Sequence, residues 1–347
     1  MGFERLVRPG PREKSTAGPT RPAPSPARRT LAEDADRQAA PVAGGGLDRL
    51  RQAADELRAG GGRQGPTIPV TVDLLSLLLP QAPRQQPSVP SKFKNAPYTE
   101  LKGERSVKGP GDVDEVDAGD VTQGQLGDCG LHAAMIAIAR TNPQAIKDLV
   151  SEKGDGTYDV TLYFEDHFWN NKSPHVINVK PTFPTDGKGN PLFSQPGDTG
   201  PKGPELWAML IEKAFAMHAG GYDDAEGIWD KDALDLLSSA DASDESVTKY
   251  SEADMGKAIN AKLKSGNFAL TANTSESRLD RWTRSDDEEK EIQKWGIVMV
   301  HAYAIVGVDE SAKTIDLRNP WGFQDLIGLP FATFRKYFNT WSAVKVK

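Results

Sequence analysis

An α+β fold in two lobes with a cleft between them, behind a tail that has no core of its own, is predicted for this chain of 347 residues. Three observations predict it. Residues 1–95 hold 13 Pro and 10 Gly with only Phe3 and Phe93 as aromatics, a composition that does not pack. Helical patterns gather in the first half of the remainder, and β patterns dominate its second half. The lobes are drawn at 96–240 and 241–347.

The tail buries too little apolar surface to offset its chain entropy, and is expected to be disordered. Residues 47–57, with apolar groups at helical spacing, and the apolar stretch 70–79 are local exceptions. Residues 130–140 are apolar nearly all round, which predicts a buried helix. Residues 157–164 and 175–180 are rich in Val, Thr, Tyr and Ile and predict strands. An amphipathic helix is expected over 204–219, with Pro204 in its first turn and Gly220-Gly221 ending it. Shorter helices are predicted at 231–239 and 253–264, then strands at 268–272, 297–300, 302–308 and 314–317.

Composition narrows the function. Hydrophobic residues make up 37% and charged ones 26%, as in soluble globular chains. No apolar run approaches the roughly 20 residues of a membrane span. No signal-peptide pattern opens the chain, which predicts cytoplasmic synthesis and any export by a route without a cleavable signal. Net charge is −7; residues 1–95 carry 15 Lys or Arg against 9 Asp or Glu, so the body is strongly acidic. An acidic body argues against nucleic acid as partner. The basic tail suits an acidic surface, the chain's own cleft or an export partner.

The single cysteine, Cys129, excludes an internal disulfide. It falls where the polar, Gly-rich run Asp120-Val-Thr-Gln-Gly-Gln-Leu-Gly-Asp meets the apolar helix. Unpaired N–H groups and the positive end of the helix dipole favour an anion there. Such placement beside a cationic histidine typically lowers a thiol to about 3.5–7.5, which makes a nucleophile. His301 opens a predicted strand, and Asn319 follows 18 residues later in Leu-Arg-Asn-Pro-Trp-Gly. A hairpin-like return of that length brings the two onto adjacent strands. The asparagine would accept the ring N–H and set the tautomer, leaving the other nitrogen to face the thiol.

Gln123-Gly-Gln-Leu-Gly-Asp-Cys, His301-Ala-Tyr-Ala-Ile-Val-Gly and Leu317-Arg-Asn-Pro-Trp-Gly, in that order, resemble the active-site segments of the calpain family. The resemblance covers roughly residues 96–347 and implies a papain-like two-lobed fold and a cysteine endopeptidase acting on protein substrates. It implies an oxyanion hole from the Gln123 side-chain amide and the Cys129 backbone N–H, with Gln125 out of register. It implies that Trp321 covers the His301–Asn319 hydrogen bond. Asp120 and Asp325 match acidic calcium-ligand positions of that family. One such position per lobe is a poor cage for an ion that takes about 6–8 oxygens, so no cofactor is expected.

This chain has Gly130 where the family usually has Trp, which is expected to leave the sulfur less shielded. The family has an aliphatic residue near His132, so that histidine is expected to line the core or cleft. His218 is expected to meet carbonyls at its helix end. His167 and His175 fall on a hairpin. The Cys/His/Asn set also suits two alternatives: a calpain-like binding module with little turnover, or a Cys-dependent deamidase or transamidase. The tail's Ala, Gly, Arg and Pro content has a bacterial look and leaves an exported effector as an expectation.

Overall fold

The computed structural model describes residues 86–166, 171–274 and 284–346. The sequence-predicted helix at 47–57, the apolar stretch 70–79 and His167 lie outside them. Residues 86–95, on the tail side of the boundary drawn from composition, lie against the body. Ser88 bridges to Gly221, Tyr222 N–H donates to Ser88 O at 2.8 Å, and the Tyr98 hydroxyl donates to the Pro87 carbonyl.

The first lobe opens with β1 (Tyr98–Glu100), then α1 (Cys129–Thr141) and α2 (Pro143–Leu149). A three-stranded sheet follows from β2 (Val150–Glu152), β3 (Tyr158–Asp166) and β4 (Asn171–Val179), and β5 (Thr182–Pro184) pairs with β1. The short pair β6 (Thr199–Gly200) and β7 (Gly203–Pro204) precedes α3 (Trp207–Ala219), α4 (Tyr222–Ala225) and α5 (Asp230–Leu236). The rest comprises β8 (Ser243–Ser246), α6 (Glu252–Ser265), β9 (Phe268–Thr274), α7 (Asp286–Trp295), β10 (His301–Asp309), β11 (Thr314–Arg318), β12 (Leu326–Pro330), α8 (Phe331–Tyr337) and β13 (Thr340–Lys345).

Six of these strands form one antiparallel sheet in the order β12-β11-β10-β9-β13-β8. β9, β13 and the first half of β10 are buried on both faces, and the period of two sorts their side chains between two cores. Ala269, Ala304 and Val344 face the core that α1 and α3 share with β3 and β4. Their neighbours Leu270, Tyr303 and Ala343 face the core under α6, α7 and α8. Small residues on the α1 side let that helix lie against β9 and β10. That packing places the start of α1 beside the start of β10.

Several expectations need correction. Pro204 belongs to β7, and the helix after it starts at Trp207, because residues 203–206 pair with other loops: Leu206 N–H donates to Glu104 O at 3.0 Å. Residues 297–300 form no strand. The chain there turns from α7 into β10 through Gly296 (φ 69°) and Val300 (φ 57°), both left-handed, and Val298 N–H donates to the Tyr303 hydroxyl at 2.9 Å. α7 was legible in its capping box, Ser285 with Glu288, and in Gly296 after its last turn. α2 was legible in Asn142-Pro143, an N-cap followed by proline at the first helical position.

Candidate functional site

The loop that leads into Cys129 is held on three sides. Asp117 and Asp120 form a reciprocal cap on the 3₁₀ turn Ala118–Asp120 that leads into it. Gln125 N–H donates to Leu192 O at 2.8 Å and Gln195 N–H to Thr122 O at 2.9 Å. Gln123 N–H donates to Pro320 O at 2.9 Å, which ties this loop to the one that carries Asn319. Gly124 is required by close approach: a Cβ there would lie 1.9 Å from Phe193 O. The Gln123 side chain is buried, and its Nε2 donates to Leu126 O at 2.6 Å and Asp128 Oδ1 at 3.3 Å.

Cys129 is the first residue of α1 and half-buried. Its sulfur meets the N–H of Ala302, the residue after His301, and the N–H of Gly130. The expectation of a lowered thiol is not met. Burial pushes the Cys129 thiol up to about 12, with the Asp128 and Asp230 carboxylates adding to it, while the two N–H groups pull the other way. Asp230, at the start of α5, is itself held by Thr271 Oγ1 and Asn273 Nδ2, both at 2.7 Å. Sequence reasoning passed it over, since its approach depends on the fold bringing α5 onto α1.

Backbone crowds Gly130. A Cβ on it would lie 2.2 Å from Ile228 O and 3.0 Å from Asp230 N, so backbone fills the space a side chain would take.

His301 and Asn319 meet as the spacing requires. His301 Nε2 and Asn319 Oδ1 are 3.0 Å apart, and Trp321 N–H donates to the same oxygen at 3.0 Å. That second donor identifies the atom as oxygen, so His301 Nε2 carries the proton and Nδ1 keeps its lone pair. Trp321 lies beside the imidazole at 4.8 Å between ring centres, and Tyr303 stands edge-on at 4.9 Å. Thr274 Oγ1 accepts the His301 N–H at 3.1 Å and fixes the strand end. Burial pushes His301 down to about 4, against the pull of Asn319, so the resting ring is neutral.

Asp325 Oδ1 accepts the Asn319 N–H at 3.0 Å and acts as a brace for that loop. Asp120 is less isolated than its sequence position suggests. Its carboxylate lies with those of Asp112 and Asp198, the ligand atoms within 4.8 Å of one another. Beside them Glu205 Oε2 is buried without a hydrogen-bond partner. Burial raises Asp120 to about 6, and burial with the Asp120 charge raises Glu205 to about 10. The all-oxygen donor set suits a hard cation.

The other described histidines have different places. His132 is fully buried between Asp128 and Glu212. His218 does not meet helix-end carbonyls as expected; it stacks on Phe164 with ring centres 3.6 Å apart, because β3 crosses that end of α3. His175 packs edge-on to the same ring at 5.0 Å.

Comparison with known proteins matches residues 105–346 to the calpain family cysteine protease profile. Calpain-9 of Mus musculus is 26% identical over 210 residues, 58% of this chain and 28% of its own length. A calpain-type cysteine protease of Zea mays is 29% identical over 214 residues, 59% of this chain and 9% of its own length. Calpain-7 of Homo sapiens is 25% identical over 258 residues, 70% of this chain and 29% of its own length. The chain thus spans less than a third of the length of these relatives. No described helix is long and apolar enough to cross a membrane. The chain belongs to the calpain family of cysteine proteases, and its mixed helix-and-sheet body is the papain-like core of that family.

Proposed function

We propose that this chain is a cysteine endopeptidase acting on protein substrates through Cys129, His301 and Asn319. The observation that carries this reading is the pair of bonds to Asn319 Oδ1, which leaves His301 Nδ1 as the free base on the strand end whose next N–H meets the sulfur. Substrate entry and lobe movement transfer the thiol proton to His301 Nδ1. The thiolate attacks the scissile carbonyl, and the oxyanion receives the Cys129 N–H and the Gln123 Nε2–H that gives up Leu126 O, while the other stays on Asp128. His301 then returns the proton to the leaving amine. Water, deprotonated by the same ring, releases the acyl group and restores the thiol.

No step of this chemistry needs a metal. Asp112, Asp120 and Asp198 are the groups that would hold a hard cation, which would supply charge compensation and tie three loops of the first lobe together.

The test is labelling with an epoxide thiol inhibitor, and casein cleavage by wild type against Cys129→Ala. An adduct on Cys129 and loss of cleavage in the variant are expected. Equal cleavage rates would overturn the reading. One observation favours a second reading, a calpain-like binding module with little turnover: thiol and imidazole are both neutral at rest, and the Gln123 amide is already engaged. A folded protein that binds casein without cutting it would support that.

A further inference from the structure

Beneath the nucleophile lies a buried polar group with no part in the mechanism so far. Asp128 is the N-cap residue of α1, yet its side chain makes no capping bond. An aspartate there ordinarily accepts from the second or third N–H of the helix, here those of Gly130 and Leu131. Instead its Oδ1 turns inward, 3.2 Å from His132 Nδ1 and 3.3 Å from Gln123 Nε2. Glu212, from α3, completes the group: its Oε1 lies 3.9 Å from His132 Nε2 and accepts the Ser194 N–H at 2.9 Å. Asp128, His132 and Glu212 are each at most 2% exposed. Asp128 Oδ2 and His132 Nε2 have no hydrogen-bond partner.

The two ring nitrogens face different carboxylates. The three groups also crowd one another, one ligand atom of each lying within 4.8 Å of the others, with the Asp128 charge acting on Glu212. A lone buried carboxylate is costly, and beside a second acid it is costlier. A donor within reach of Asp128 makes the inward position tolerable. With the carboxylate held there, Leu131 and His132 N–H are satisfied by the Asp128 carbonyl, at 2.9 and 3.3 Å. The Gly130 N–H stays directed at the sulfur. An outward swing of Asp128 would put a carboxylate on that same N–H and release the Gln123 amide.

We propose that His132 is a positioning residue for the nucleophile: facing Asp128 with one ring nitrogen and Glu212 with the other, it keeps the Asp128 carboxylate off the helix end and on the Gln123 amide. The inference rests on the reading of Cys129 as the reactive group. The groups facing the ring are Asp128 and Glu212, with Tyr98 and Tyr222 behind Glu212.

The test is the rate of alkylation of Cys129 by iodoacetamide, followed from pH 6 to 10 alongside kcat and KM on casein peptides. Cys129 is the only cysteine, so alkylation reports on it alone. His132→Leu, with its melting transition checked, is expected to slow alkylation at pH 7 by about tenfold or more, as for the loss of a supporting hydrogen-bond partner. The fall in kcat should match it, with KM within twofold. His132→Asn, whose amide reaches the position of Nδ1, should restore most of the rate. His132→Gln, which reaches the position of Nε2, should not. A folded His132→Leu protein within twofold of wild type at every pH overturns the proposal. Should His132→Leu fail to fold, equal rates for the Asn and Gln variants overturn it instead. Wild type that alkylates fast but cuts nothing would sink the endopeptidase reading, while the ratio between variants still decides this one.

Discussion

Gln123 and Pro320, 197 positions apart, are joined by a backbone hydrogen bond of 2.9 Å from the glutamine N–H to the proline carbonyl. It couples the loop before Cys129 to the loop that carries Asn319. A substitution at Gln123 therefore removes the side-chain amide while the backbone tie remains. Gln123→Ala is expected to lower kcat by about 10²–10³ with little change in KM, the cost of one oxyanion donor. Steady-state kinetics on a fluorogenic peptide measure it. A loss confined to KM would remove Gln123 from the transition state.

Asn319→Ala should act on both chemistry and stability. It leaves the Trp321 N–H and the His301 Nε2 proton unsatisfied in a buried place, at a cost of about 1–3 kcal/mol. It also frees the imidazole to rotate or change tautomer, so kcat should fall well beyond what the stability loss explains. Urea melts and kinetics on the same preparation separate the two effects. Unchanged stability with reduced kcat would show that Trp321 N–H finds another acceptor.

Acid should unfold this protein partly through His301. Its native value of about 4 lies below the ordinary unfolded value of about 6.5, because burial favours the neutral ring. Between those values the unfolded chain binds the proton and the folded one does not. Stability is therefore fully present above pH 6.5 and is lost as pH falls towards 4, by on the order of 3 kcal/mol for this group. In His301→Gln the dependence of unfolding free energy on pH across that window should be shallower. An identical slope would mean that the ring takes up its proton in the folded state.

Gly130→Ala should destabilise. The added methyl would stand 2.2 Å from Ile228 O, and backbone on both sides must shift. Overpacking of this kind costs about 1–3 kcal/mol, and Gly130→Trp should cost more still. Lower melting temperatures in that order are expected. A neutral Gly130→Ala would mean that the 228–230 segment moves freely.

Much of the fold was legible because its signals are local. The buried helix from Cys129, the strand from His301 and the Gly220 stop of α3 each follow from periodicity or a terminating residue. The capping box at Ser285 was equally readable. Residues 297–300 misled, because β-branched composition suggests a strand while Val300 adopts a left-handed turn set by what it connects. The spacing of Asp128 and His132, four apart on one helix face, was visible; Glu212, 80 positions on, was not.

By itself the sequence determined where the thiol of Cys129 and the imidazole of His301 stand, at a helix start and at a strand start, because both follow from adjacent residues. The tertiary structure decided their state. How deeply Cys129 and His301 are buried, and that Asp128 and Asp230 approach the sulfur, depends on distant segments packing together, and desolvation there outweighs the pull of the helix end.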